Sequence, residues 1–297
     1  MTAILIPGKD SAQIAAFTTQ IIAGLSTEEI ASLTSAQAGW LTTSQIAALT
    51  TMQTAVLSST QIVGLGTNSV AALETADLRA LKTSTIAALT TQQIGALTTT
   101  QIGALSTAQV GSLGTAVFAV GLTSAQVPAF GTDQVASLNT AQVSAMSTTV
   151  LAALQSNDVA ALKTSAIASL SSNQIDALNS AQIVALTTAQ AGALRSTQIA
   201  GLTTDVLQAM ETADVKALST SVIAGLSSAQ AAALTSSQIA VMTSGQIGAL
   251  ATSLFASGLT TAQIVALSTS QAAGLTSAQV AAMSTANLAA LETADLR

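Results

Sequence analysis

The sequence predicts an all-α fold, a solenoid of very short helices with one helix per eight-residue repeat, and three observations predict it. Thr98-Thr99-Thr100-Gln101-Ile102-Gly103-Ala104-Leu105 is one copy of a unit that recurs from Asp10 onward. There are thirty-five complete copies, thirty-three of eight residues and two of nine, followed by the fragment Glu292 to Arg297. Such a repeat buries its apolar side only against neighbouring copies, so the array coils instead of forming one globular core. Secondly, the main apolar positions, occupied here by Ile102 and Leu105, lie three and then five residues apart. That spacing suits one helix face and not the alternation of a strand. Thirdly, the filler is Ala and Gln, which favour helix over strand. Thr richness and the short period leave a β-solenoid as the alternative.

With the positions numbered 1 to 8 as in the Thr98 repeat, each has its own preference. Position 2 is Ser or Thr in every complete repeat, from Ser11 to Thr285, and position 8 is Leu, Met or Phe. Position 5 is usually Ile, Val or Leu, position 4 is most often Gln, and position 7 is small except at Trp40, Val56 and Val241 among the eight-residue repeats. An invariant hydroxyl ahead of a short apolar stretch reads as a helix N-cap, which places the cap at position 2. One continuous helix is excluded, because eight residues overshoot two turns by about 80° and would wind the Ile/Leu stripe around the rod. The helix must restart in every repeat, with positions 5 and 8 inside and small position-7 residues allowing close backbone approach. Glycines such as Gly64 and Gly66 read as corners.

Residues 1–9 lie outside the repeat, and Pro7-Gly8 marks them as a lead-in or cap; residues 10–297 form the repeat solenoid. Glu74-Thr75-Ala76-Asp77 returns as Glu211-Thr212-Ala213-Asp214, and the nine-residue Gly114–Leu122 returns as Ala251–Leu259, each seventeen repeats later. Repeats with Asp at position 4 begin at Glu74, Gln155, Glu211 and Glu292. Their gaps of ten, seven and ten repeats are whole turns if one turn holds about 3.4 repeats. The same recurrence implies that the native chain runs on beyond Arg297.

Composition narrows function. Net charge is −6 with no basic cluster, which argues against nucleic acid. Neither Cys nor His is present, removing disulfides and the usual ligands of zinc and haem; no cofactor is expected. Ser, Thr or Gln interrupts every apolar run, so no transmembrane segment is predicted. The chain is expected not to be an enzyme. A Ser or Thr nucleophile would need a Lys base, and Lys9, Lys82, Lys163 and Lys216 have no nucleophile motif beside them. Glu28 with Glu29, and Glu74 with Asp77, resemble carboxylate pairs, but acidic residues in a helical first turn serve the macrodipole. Glu74, Asp77, Arg79, Lys82, Asp158, Lys163, Glu211, Asp214, Lys216, Glu292 and Asp295 read as a polar interaction stripe. These repeats lack the clustered carboxylates of a calcium site. Trp40 reads as an end contact.

Leu41-Thr42-Thr43-Ser44-Gln45-Ile46-Ala47-Ala48-Leu49 resembles the Leu-Thr-Thr-x-Gln-Ile-x-Ala-Leu repeats of large bacterial exoproteins, the adhesin-like and haem-utilisation-or-adhesion type. The resemblance implies a secreted or cell-surface protein, exported without an ordinary N-terminal signal. The haem half of that description finds no ligand here. The expectation is a structural protein, homo-oligomeric or polymeric, forming a filament, surface layer or adhesin stalk, with possible cell-surface or glycan contact. The alternative is a binding module that presents Thr and Ser arrays to ice or glycan.

Overall fold

The computed structural model describes residues 6–291, and among these all regular structure is helical, with no strand. The β-solenoid alternative is therefore set aside: the protein is an all-α repeat solenoid. The chain divides into two compact units, one ending at Ala153 and one beginning at Leu154. Each unit is built by the same rules.

Within the first unit the helices Ser35–Gly39, Thr43–Ala47 and Thr99–Ala104 are typical. Each begins at position 2 and stops before position 8, where the backbone extends, as at Leu105 with φ −60° and ψ 141°. Position 1 is extended too, Thr98 having φ −70° and ψ 160°. These two extended residues make the corner, so glycine is not required there. Among the described residues the only positive φ belongs to Gly8, at 88°. Position 5 is sealed, as at Ile46, Ile62 and Ile102, and position 8 is nearly so, as at Leu49 and Leu105.

The N-cap is position 1, not position 2 as the sequence suggested. Thr98 Oγ1 accepts from the Gln101 amide, whereas Thr99 is the first helical residue. Several position-2 hydroxyls instead reach the helix three repeats on. Ser59 donates to the Ser84 carbonyl at 2.9 Å and Thr51 to Asp77 Oδ1 at 3.0 Å.

Helices pack against those three repeats away: Ser35–Gly39 on Ser59–Gly64, and Thr51–Ala55 on Thr75–Ala80. This explains the small position 7. It sits on positions 2 and 6 of the earlier repeat, so closely that a Cβ on Gly64 would lie 2.3 Å from the Ser35 carbonyl oxygen. A Cβ on Gly39 would lie 2.6 Å from the Gly64 oxygen. Here glycine serves approach and not turning.

The second unit repeats the pattern, with Thr188–Gly192 on Thr212–Ala217 and Thr252–Ser257 on Ser277–Ala282. Its position-5 residues Ile199, Val215 and Ile239 are buried. Both nine-residue repeats absorb their extra residue by an i→i+5 bond, Leu122 N to Val117 O at 2.9 Å and Leu259 N to Leu254 O at 2.7 Å. A single π-type turn of this kind lengthens the helix path without displacing the flanking corners. Phe118 and Phe255 fill the core at these places, both fully buried.

Candidate functional site: the position-4 ladder

The side chain that defines this fold is the position-4 Gln. Locally it completes a capping box: Gln101 Oε1 accepts from the Thr98 amide at 2.8 Å while Thr98 Oγ1 accepts from the Gln101 amide at 3.2 Å. The box satisfies two donors left open at the helix N-terminus.

The other end of the same side chain reaches across the coil. Gln61 Nε2 donates to Ile30 O at 2.9 Å and Leu33 O at 2.8 Å, 31 and 28 residues earlier. Gln109 does the same to Leu78 and Leu81, both at 2.9 Å. In the second unit Gln246 reaches Val215 O at 3.1 Å and Leu218 O at 2.7 Å. The acceptors are the position-5 and position-8 carbonyls four repeats back; the position-5 oxygen also takes its own repeat's position-8 amide, as Ile30 O does from Leu33 N at 3.2 Å, so the rung uses its second lone pair. One buried side chain thus closes its own helix start and an earlier helix end. With packing three repeats away and rungs four repeats away, each turn within a unit holds between three and four repeats.

Where a nine-residue repeat intervenes, the rung lengthens by one residue, Gln126 reaching Ile94 and Leu97 at separations of 32 and 29. The carbonyls are therefore selected by their place in the coil, not by residue count. At the other extreme the lead-in serves as a repeat: Gln37 Nε2 donates to Ile6 O and Lys9 O, both at 3.1 Å. Ile6 is buried like a position-5 residue.

Three of the gaps in the ladder run over three consecutive repeats. Ser69, Asp77 and Thr85 hold position 4 in consecutive repeats, as do Val150, Asp158 and Ala166, and then Val206, Asp214 and Val222. The predicted stripe separates at these gaps. Glu74, Arg79, Lys82, Lys163, Glu211 and Lys216 are exposed, whereas Asp77, Asp158 and Asp214 are buried. Glu292 and Asp295 lie outside the described residues. Burial pushes the Asp214 carboxyl above the usual carboxylate range; the Thr188 hydroxyl opposes this and the Glu211 charge reinforces it. Glu28 goes the other way, held below that range by its backbone amide and the Ser26 hydroxyl. Trp40 is 39% exposed and follows Gly39 at the end of its helix.

Sequence reasoning missed the ladder, although its local half was written in the Ser/Thr-x-x-Gln spacing of positions 1 and 4. Among the described residues no three acidic side chains gather as a metal site would need. None of the described helices is long and apolar enough to cross a membrane.

A coil of restarted short helices joined by buried amide rungs defines a structural class, the short-period α-solenoid. The repeat profile of the ALTTAQ family matches residues 10–43, 70–107, 120–148, 151–188, 177–204, 207–244 and 257–285, well over half the chain. The chain belongs to the ALTTAQ repeat family. No match is found among curated proteins.

Proposed function

We propose that the chain is a non-catalytic structural module, a stalk or spacer of an extracellular or cell-surface protein. The observation that carries this reading is the ladder. The side chain most suited to chemistry in each repeat, the position-4 amide, is spent inside on carbonyls such as Ile30 O and Leu33 O. What remains outside is mainly Ser, Thr, Ala and Gly, a surface suited to a passive spacer. The resemblance to bacterial exoprotein repeats supports an adhesin-type setting.

Flat, strand-like Thr rows would favour the ice-binding alternative, and the described residues contain no strand. Negative-stain electron microscopy of the purified chain over a concentration series tests the proposal. Discrete particles at every concentration are expected; fibres with a regular axial repeat would overturn the stalk in favour of a filament. Protease shaving of intact native cells tests location, since a surface stalk must be cleaved while the cells remain sealed.

A further inference from the structure

The position-8 carbonyls of the second unit record where successive turns are tied together. Leu154 O, Leu162 O and Leu170 O each take an amide, from Gln182, Gln190 and Gln198, at 2.8, 2.7 and 2.8 Å. Leu202 O, Met210 O and Leu218 O take theirs from Gln230, Gln238 and Gln246, at 3.0, 2.8 and 2.7 Å. Between these two runs lie Leu178, Leu186 and Leu194, just as buried at 2%, 5% and 4% exposed. Four repeats on, position 4 is Val206, Asp214 and Val222. Among the described residues no hydrogen bond to the Leu178, Leu186 or Leu194 oxygen is seen.

The length of this gap matters more than its existence. Leu254 also supplies no rung, but the carbonyls on either side of its place, Leu218 O and Leu234 O, are tied by Gln246 and Gln263. A turn holds between three and four repeats, so three missing rungs in succession run most of the way round the coil. What joins the turns there is side-chain packing, as of Thr188–Gly192 on Thr212–Ala217, and a surface bond in which Asp176 Oδ1 accepts from Thr203 N at 3.3 Å. The helices themselves are complete, since Ser180–Val184 and Thr188–Gly192 keep their capping boxes. The weakness lies between turns and not within them.

We propose that this three-repeat gap is a built-in seam, the place where the second unit opens first, and that Val206, Asp214 and Val222 define it. Stability in a repeat array is a sum of local terms and neighbour ties, so removing successive ties from one turn localises opening there. The first unit holds a shallower version. Leu41 O and Leu49 O receive no hydrogen bond among the described residues, but Thr85 Oγ1 still donates to Leu57 O at 3.0 Å. In a stalk such a seam sets where the coil yields under load; that use rests on the stalk reading, while the seam itself does not.

Hydrogen exchange of the full chain by mass spectrometry, corrected for intrinsic rates, reads opening helix by helix. In the wild type, Ser172–Asp176, Ser180–Val184 and Thr188–Gly192 should be protected about tenfold less than Thr164–Ser169 and Ser196–Ala200 on either side, the effect of buried acceptors without donors. V206Q/D214Q/V222Q writes Gln into the register that Gln198 and Gln230 already use, and should erase the difference. V206L/D214L/V222L adds packing without a donor and should not. Uniform wild-type protection across the five helices overturns the proposal, as does a Leu variant that closes the difference as well as the Gln one. Loss of helical circular dichroism in the Gln variant overturns it too, because neighbouring repeats fold with Gln at the same place. The readout is independent of location on the cell, so failure of the stalk reading would remove the use of the seam and leave the seam standing.

Discussion

Replacing Gln109 by Leu keeps most of the buried volume and removes every polar contact of one rung. Gln109 is 2% exposed; it accepts from the Ser106 amide at 2.8 Å and donates to Leu78 O and Leu81 O, both at 2.9 Å. The substitution strands one donor and two acceptors. A buried polar group left without its partner costs about 1–3 kcal/mol, so the three together put the rung at about 3–9 kcal/mol. Gln13 provides the internal control. It makes the same capping box, with Asp10, but it is exposed, and no rung from it to an earlier repeat is seen among the described residues. Gln13→Leu should cost about 0.5–1.5 kcal/mol, the net value of one ordinary hydrogen bond. A repeat array does not unfold as a single two-state body, so the assay must be local: the opening free energy of Thr75–Ala80 by hydrogen exchange for Q109L, and of Ser11–Ala15 for Q13L. If the two substitutions cost the same within about 0.5 kcal/mol, the reach across the coil contributes nothing beyond local capping and the ladder argument fails.

Other perturbations address packing and charge. Gly64→Ala, which puts a methyl 2.3 Å from the Ser35 oxygen, should destabilise its surroundings by about 1–3 kcal/mol. Gly24→Ala, at a helical glycine with open space around its Cβ position, should stabilise by about 0.5–1 kcal/mol; local hydrogen exchange of both variants checks the opposite signs. Ile102→Ala, at a sealed position 5, should cost about 2–5 kcal/mol by the same local measurement on Thr99–Ala104. For Glu28 the folded value is depressed, so its contribution to stability is present above the unfolded value of 4.5 and is lost as pH falls through the folded one. An NMR titration that places the Glu28 carboxyl at or above its ordinary value would refute that assignment.

Periodicity made the core legible: the apolar spacing of Ile102 and Leu105 was enough to place positions 5 and 8 inside short helices. It also misled. The invariance of the position-2 hydroxyl drew the N-cap one residue too far, since the true cap, position 1, varies: Lys82 and Glu211 there have no side-chain cap, and their helices still form. Nothing in the linear spacing of Gln61 names Ile30 and Leu33 as its partners, since that pairing exists only once the coil has closed. The burial of Asp77 was hidden for a related reason. Charged residues belong outside by default, and only the register of the ladder turns this one inward. Ile6 looked like part of an unrelated lead-in because Pro7-Gly8 breaks the motif, yet its carbonyl is used as any repeat's would be.

The indifference of the rung to residue count bears on how such a chain changes over generations. Gln126 finds its carbonyls across an inserted residue as readily as Gln61 finds them without one. A tract of this kind tolerates slippage during copying: gaining or losing whole repeats leaves every surviving amide with a carbonyl pair to meet, and a stray single-residue insertion is absorbed within one turn. Length then becomes a quantity that recombination can adjust in steps of eight residues, with no compensating mutation in the core.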